Sequence, residues 1–192
     1  MMAVAPANLD PLTKASVTVA WVILLNKPFY PLYICYLVGD GVAASLGTLT
    51  AAPLFLAIPF IARRSPLSAR IALPLVGTFD TLFETKLFGQ SSGTELFLAA
   101  CLMLVAVSFR EDEHWWQRGM AVLIFAAFVF SRGFIGAPLH VWTQTDLAML
   151  LNLNAFAVAS LMAFVTLRYA GTSRQSRLYS AVPEHPTPGR YS

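Results

Sequence analysis

Long apolar runs separated by short polar turns organise this chain. Six runs can be marked, at 16–38, 45–62, 70–88, 95–109, 119–136 and 146–168. Most reach the ~20 residues that a helix needs to cross a hydrocarbon core of roughly 30 Å. The fourth is short, and is expected to extend through Ser92 and Gly93 or to stand nearly upright. The pattern predicts an all-α, polytopic integral membrane protein with six transmembrane helices. It divides into an N-terminal arm over 1–15, a six-helix transmembrane bundle over 16–170 and a disordered cytoplasmic tail over 171–192. The tail has three prolines in its last ten residues and few apolar groups, too little to build a packed core.

Basic residues orient the runs. Lys14, Arg63, Arg64, Arg70, Arg110, Arg118, Arg168, Arg174, Arg177 and Arg190 fall in the arm, in alternate loops or in the tail. The loops at 39–44, 89–94 and 137–145 hold no Lys or Arg. Such alternation is what the positive-inside rule produces for six spans with both termini cytoplasmic. A multi-pass protein of the bacterial inner membrane is the expected setting, with the lipid bilayer as its first partner. Lys14 precedes an apolar run, but Asn26, Lys27 and Pro28 follow where a cleavage site would need small residues. The N-terminus is therefore read as retained.

Composition agrees. Of 192 residues, 57% are hydrophobic and 12% are charged, about half the charged fraction of a soluble domain. The net charge of +3 is accounted for by topology and gives no reason to expect nucleic acid.

Charged and polar positions inside the runs change the picture more. Asp80 and Glu84 lie four apart in the third run and so share one helix face. Counting 1.5 Å per residue from each cytoplasmic end puts Asp80 at roughly 15 Å, Lys27 at roughly 16 Å, and Glu84 and Arg132 at roughly 21 Å. Depth alone therefore pairs Lys27 with Asp80, and Arg132 with Glu84. Asn152 and Asn154 of the last run fall in the same outer half. In the first run, Asn26-Lys27-Pro28-Phe29-Tyr30-Pro31 loses backbone donors at Pro28 and Pro31, which predicts a kink. Asn26 and Lys27 can satisfy the freed carbonyls, while Tyr30 brings a hydroxyl to the layer or to the outer interface belt. A charge at this depth is costly unless it faces a polar interior. Two readings stand side by side: ion pairs that only hold helices together, and a polar layer open to a ligand.

Other chemistry is sparse. Cys35 and Cys101 sit in apolar runs and read as small buried residues rather than a disulfide or a metal pair. No metal-binding, haem, nucleotide-binding or protease pattern is present, so no cofactor, metal site or catalytic residue is expected. Phe125, Phe128, Phe130 and Phe134 of the fifth run read as lipid-facing or packing residues. Residues 110–118, with Trp115 and Trp116, read as an interfacial loop or as a contact for a homo-oligomer or membrane-complex partner.

The layout resembles the six-helix membrane sensor domains that precede bacterial histidine kinases and class III adenylyl or diguanylate cyclases. The likeness rests on the short loops, on the broken Asn26-Lys27-Pro28 and on Lys86-Leu87-Phe88-Gly89-Gln90-Ser91-Ser92-Gly93-Thr94-Glu95-Leu96-Phe97. It spans roughly 16–168 and implies a sensing role. No kinase or cyclase segment follows the sixth run, so direct output is not expected. Three functions remain open: a non-catalytic receptor for a small amphipathic ligand, a small transporter or proton or ion pathway, and a structural or accessory subunit of a membrane complex.

Overall fold

Asp10 caps the first helix among the described residues. Its carboxylate accepts from the Thr13 amide at 3.2 Å and from the Thr13 hydroxyl at 2.6 Å. Pro11 takes the first helical position, where a missing N–H costs nothing. The first helix, α1 (Pro11–Asn26), therefore starts earlier than the apolar run at 16 suggested.

The computed structural model describes residues 9–39 and 41–180, with side chains as far as 171. Among them every regular element is helical: after α1 come α2 (Phe29–Leu37), α3 (Val42–Ser45), α4 (Ala52–Arg64), α5 (Pro66–Phe88), α6 (Phe97–Ser108), α7 (His114–Phe134) and α8 (Gln144–Ser180). Short 3-10 turns fill Leu46–Ala51, Gln90–Ser92, Thr94–Leu96 and Glu111–Glu113. The all-α expectation holds. The helix α8 runs through Ser180, into the segment expected to be a disordered tail. Residues 181–192 and most of the arm lie outside the described residues.

The expected kink is present. The first run is two helices, α1 and α2, bent by 42° at a break over Lys27 and Pro28. Pro28 sits at the cap of α2 and Pro31 in its first turn, where neither proline removes an intrahelical bond that α2 needs.

Length and composition alone qualify fewer spans than six. Val42–Arg64 and Gln144–Gly171 are long and apolar enough to cross a membrane, and the bent pair α1–α2 makes a third. The helix α5 has 23 residues but carries Arg70, Asp80, Glu84 and Lys86. The stretch Thr94–Ser108 that contains α6 is apolar and short, and α7 carries Arg118 and Arg132 toward its two ends.

Side-chain contacts define two ends of the molecule. Arg70 of α5 meets Asp10, before α1, and Glu113, before α7. Ser16 of α1 meets Tyr169, late in α8, at 2.8 Å. At the opposite end, Tyr30 of α2 meets Asn154, early in α8. The helices α1, α5 and α7 thus start together, and α8 runs against them. Between the ends, Val19, Phe55, Ile58, Leu73, Leu104 and Val165 form a core shared by α1, α4, α5, α6 and α8. A second cluster, including Cys101, Val105, Met120 and Ile124, joins α6 to α7. A third, of Ile34, Leu87, Phe88, Trp142 and Leu150, closes the far end. There Gly89 (φ 83°) and Gly93 (φ 77°) take left-handed conformations that let the chain reverse after α5.

Candidate functional site

The break between α1 and α2 aims Lys27 into the protein. Its ammonium lies 2.5 Å from Asp80 and 2.7 Å from Glu84, with the Phe55 ring of α4 centred 5.8 Å away. All three charged side chains are buried, at 7%, 10% and 12% exposure for Lys27, Asp80 and Glu84. Two carboxylates one helical turn apart present themselves to one partner, and Lys27 is that partner for both.

The expected pairing of Lys27 with Asp80 is present, but that of Arg132 with Glu84 is not. Arg132 is 61% exposed, stacks on Phe128 and pairs with Glu95 at 3.0 Å. The physical reason is direction: Glu84 faces the same side as Asp80, toward α1, whereas Arg132 lies near the end of α7 beside the turn that carries Glu95. The Glu95 carboxylate also accepts from Ser131 at 2.8 Å, and Gln90 donates to the Ser131 carbonyl at 2.6 Å. Lys86, nearby in α5, donates to the carbonyls of Ile135 and Ala137 at 2.9 and 2.8 Å, which serves the C-terminal end of α7.

The remaining expected members divide. Asn154 is buried and central: its amide donates to the Ser92 carbonyl at 2.9 Å and its oxygen accepts from Tyr30 at 3.0 Å. Ser92, Thr94 and Thr85 add a buried row of hydroxyls, with oxygen separations of 3.2 and 3.1 Å. Asn26 and Asn152, by contrast, are exposed on the outside and do not join the layer. Each lies one or two positions from an inward residue, and depth along an axis does not distinguish the faces of a helix.

A second charged cluster lies at the other end of α1 and α5. Arg70 is 1% exposed. It donates to Asp10 at 3.1 Å and to Thr13 at 3.4 Å, and it pairs with Glu113. Arg110 approaches Asp10 at 3.4 Å, and its backbone N–H donates to Glu113 at 2.9 Å. Burial pushes the Asp10 carboxyl up, but the hydrogen bonds from Thr13 and the charges of Arg70 and Arg110 outweigh it and hold the group below its ordinary value. Arg70, expected at the cytoplasmic start of the third run, lies a full turn inside α5. Ser65-Pro66, a capping serine followed by a first-turn proline, was the signal that Arg70 lies inside α5. Glu95, expected at the start of the fourth run, instead sits in the 3-10 turn before α6.

No group of three or more His, Cys, Asp or Glu among the described residues is placed to hold a metal ion. Comparison with protein-family models, curated proteins and solved structures finds no match. The chemistry available at the site is electrostatic: a buried ammonium at a helix break, held by two carboxylates that belong to another helix.

Proposed function

We propose that the chain is a non-catalytic receptor-like protein of the bacterial inner membrane, with six helical passes and both ends cytoplasmic. A small amphipathic ligand would act on the Lys27 layer and change the bend of the first pass. The membrane setting is supported by what the helices leave uncovered. Leu25, Leu32, Phe60, Phe79, Val122, Phe125, Phe134 and Phe156 are exposed, while Thr13, Ser16, Thr48, Thr78, Thr85 and Asn154 are buried. That distribution suits hydrocarbon outside and hydrogen bonding within. The helix α5 is rich in charge for a span, yet its Arg70, Asp80 and Glu84 have partners inside the fold. A helix of 23 residues covers roughly 34 Å, enough to cross.

One observation carries the receptor reading: the broken first pass is gripped at its break by α5. A hinge with a lock is a two-state element that a ligand can bias. At its other end α1 is tied through Asp10 and Arg70 to Glu113, at the edge of the 110–118 surface. A bend would thus reach a place where a partner can read it. The test uses spin labels at Val22 and Tyr36, on either side of the break, with Cys35 replaced by serine and the protein in lipid nanodiscs. A panel of amphipathic molecules is screened by thermal shift, and any binder is added to the labelled protein. The expected result is a changed label distance in the wild type and none in Lys27→Met. A distance that no binder alters would remove the receptor reading.

A transport pathway is the second reading, favoured by the buried Thr85, Thr94 and Ser92 hydroxyls and the Tyr30–Asn154 bond beyond the charged layer. Proton flux into liposomes that disappears in Asp80→Asn would favour it over sensing.

A further inference from the structure

The charges around Lys27 do not balance. One ammonium faces two carboxylates, all three at most 12% exposed. Among the described residues, the basic groups of α5 and of the end of α7 are committed elsewhere. Lys86 is spent on the carbonyls of Ile135 and Ala137, Arg132 points outward to Glu95, and Arg70 lies at the opposite end with Asp10 and Glu113. The other facing groups are the Phe55 ring from α4, the Tyr30 phenol from α2 and the Cys101 thiol from α6. None of them supplies positive charge. A surplus negative charge buried among helices is expensive, and the ordinary remedy is neutralisation of one group.

We propose that the layer is a binding site for a single exchangeable proton, shared between Asp80 and Glu84. With the proton bound, one carboxylate balances Lys27 and the other group is a neutral acid that donates or accepts a hydrogen bond. On release, both carboxylates compete for the ammonium, and the grip on the break changes. The site would then take the proton itself as its ligand. This deepens the receptor reading and rests on it for the claim that the bend responds; the proton site itself does not.

The test is infrared difference spectroscopy of the full chain in nanodiscs, in ordinary and heavy water, titrated from acid to alkaline pH in choline buffers. Circular dichroism checks that each variant is folded. The expected result is one protonated-carboxyl stretch in the wild type at neutral pH that shifts in heavy water and is lost on alkalinisation. Asp80→Asn and Glu84→Gln should each lack it, because one carboxylate then balances one ammonium. Asp80→Glu keeps both carboxyls and should retain it. Absence of the band from the wild type at neutral pH, or its persistence in both neutral variants, overturns the proposal. A band that sodium suppresses at fixed pH also overturns it, since the surplus charge then belongs to a metal cation. A band that behaves as expected while the Val22–Tyr36 label distance ignores pH leaves the proton site standing and removes the receptor reading.

Discussion

Lys27 holds two carboxylates at 2.5 and 2.7 Å, so the cost of a substitution depends on which charge it removes. Lys27→Met strands both acids and should lower stability by about 3–5 kcal/mol, the range for breaking a buried pair. Asp80→Asn leaves the Glu84 contact and should cost less. Unfolding in detergent, followed by circular dichroism, orders the two; an equal or reversed order would deny that one lysine serves both acids. At the other end, Asp10 gives a pH signature. Its folded value is depressed, so its contribution is complete above the unfolded value of ~3.9 and is lost as pH falls through the lower folded value. Wild-type stability should therefore drop on acidification through that window, and Asp10→Asn should flatten this part of the profile. The residue scale also shows where sequence stops. Depth found Lys27 and Asp80 because both positions are constrained by one coordinate. It misassigned Glu84 because the deciding coordinate is rotation about α5, and the four-residue spacing that puts Glu84 beside Asp80 already contained it.

Among the elements, the break between α1 and α2 was legible because proline acts locally: Pro28 and Pro31 lack the backbone donors that one continuous helix through this point would use. Starts and ends were less so. The apolar run at 16 marks where α1 becomes hydrophobic, whereas Asp10 and Pro11 decide where it becomes helical. The same holds for α5, which begins at Pro66 behind the Ser65 cap rather than at Arg70. The tight turns Gln90–Ser92 and Thr94–Leu96 shorten α6, and they depend on contacts with Thr85 and Asn154 that are distant in sequence or fold. Replacing Pro28 and Pro31 with alanine should reduce the 42° bend and lengthen the distance between labels at Val22 and Tyr36. An unchanged distance would place the cause of the bend in the Lys27 contacts rather than in the prolines.

For the molecule as a whole, the alternation of basic loops leads to a labelling test of the proposed topology. Ser91 is exposed beside the far-end turn and Gly171 is exposed late in α8. With Cys35 replaced by serine, a cysteine at 91 should react with an impermeant reagent added to intact cells, and one at 171 should not. Equal reaction would rule out six passes with cytoplasmic ends. All-helical character was legible from apolar run lengths alone, but the number of membrane passes was not. Hydropathy scores a helix as if it stood alone in lipid, and α5 never does. That independence fails first during synthesis. Each of its acids or its arginine would cost ~2.5–3.5 kcal/mol at mid-membrane without a partner. When α5 leaves the ribosome, Lys27 has already emerged, but Glu113 has not. The segment should therefore enter lipid poorly as an isolated insert, better behind α1, and fully only once α7 follows. Glycosylation-tag assays on these three lengths of chain measure each step. Efficient entry of α5 alone would mean that lipid tolerates its charges without help, and that its partners arrive too late to matter.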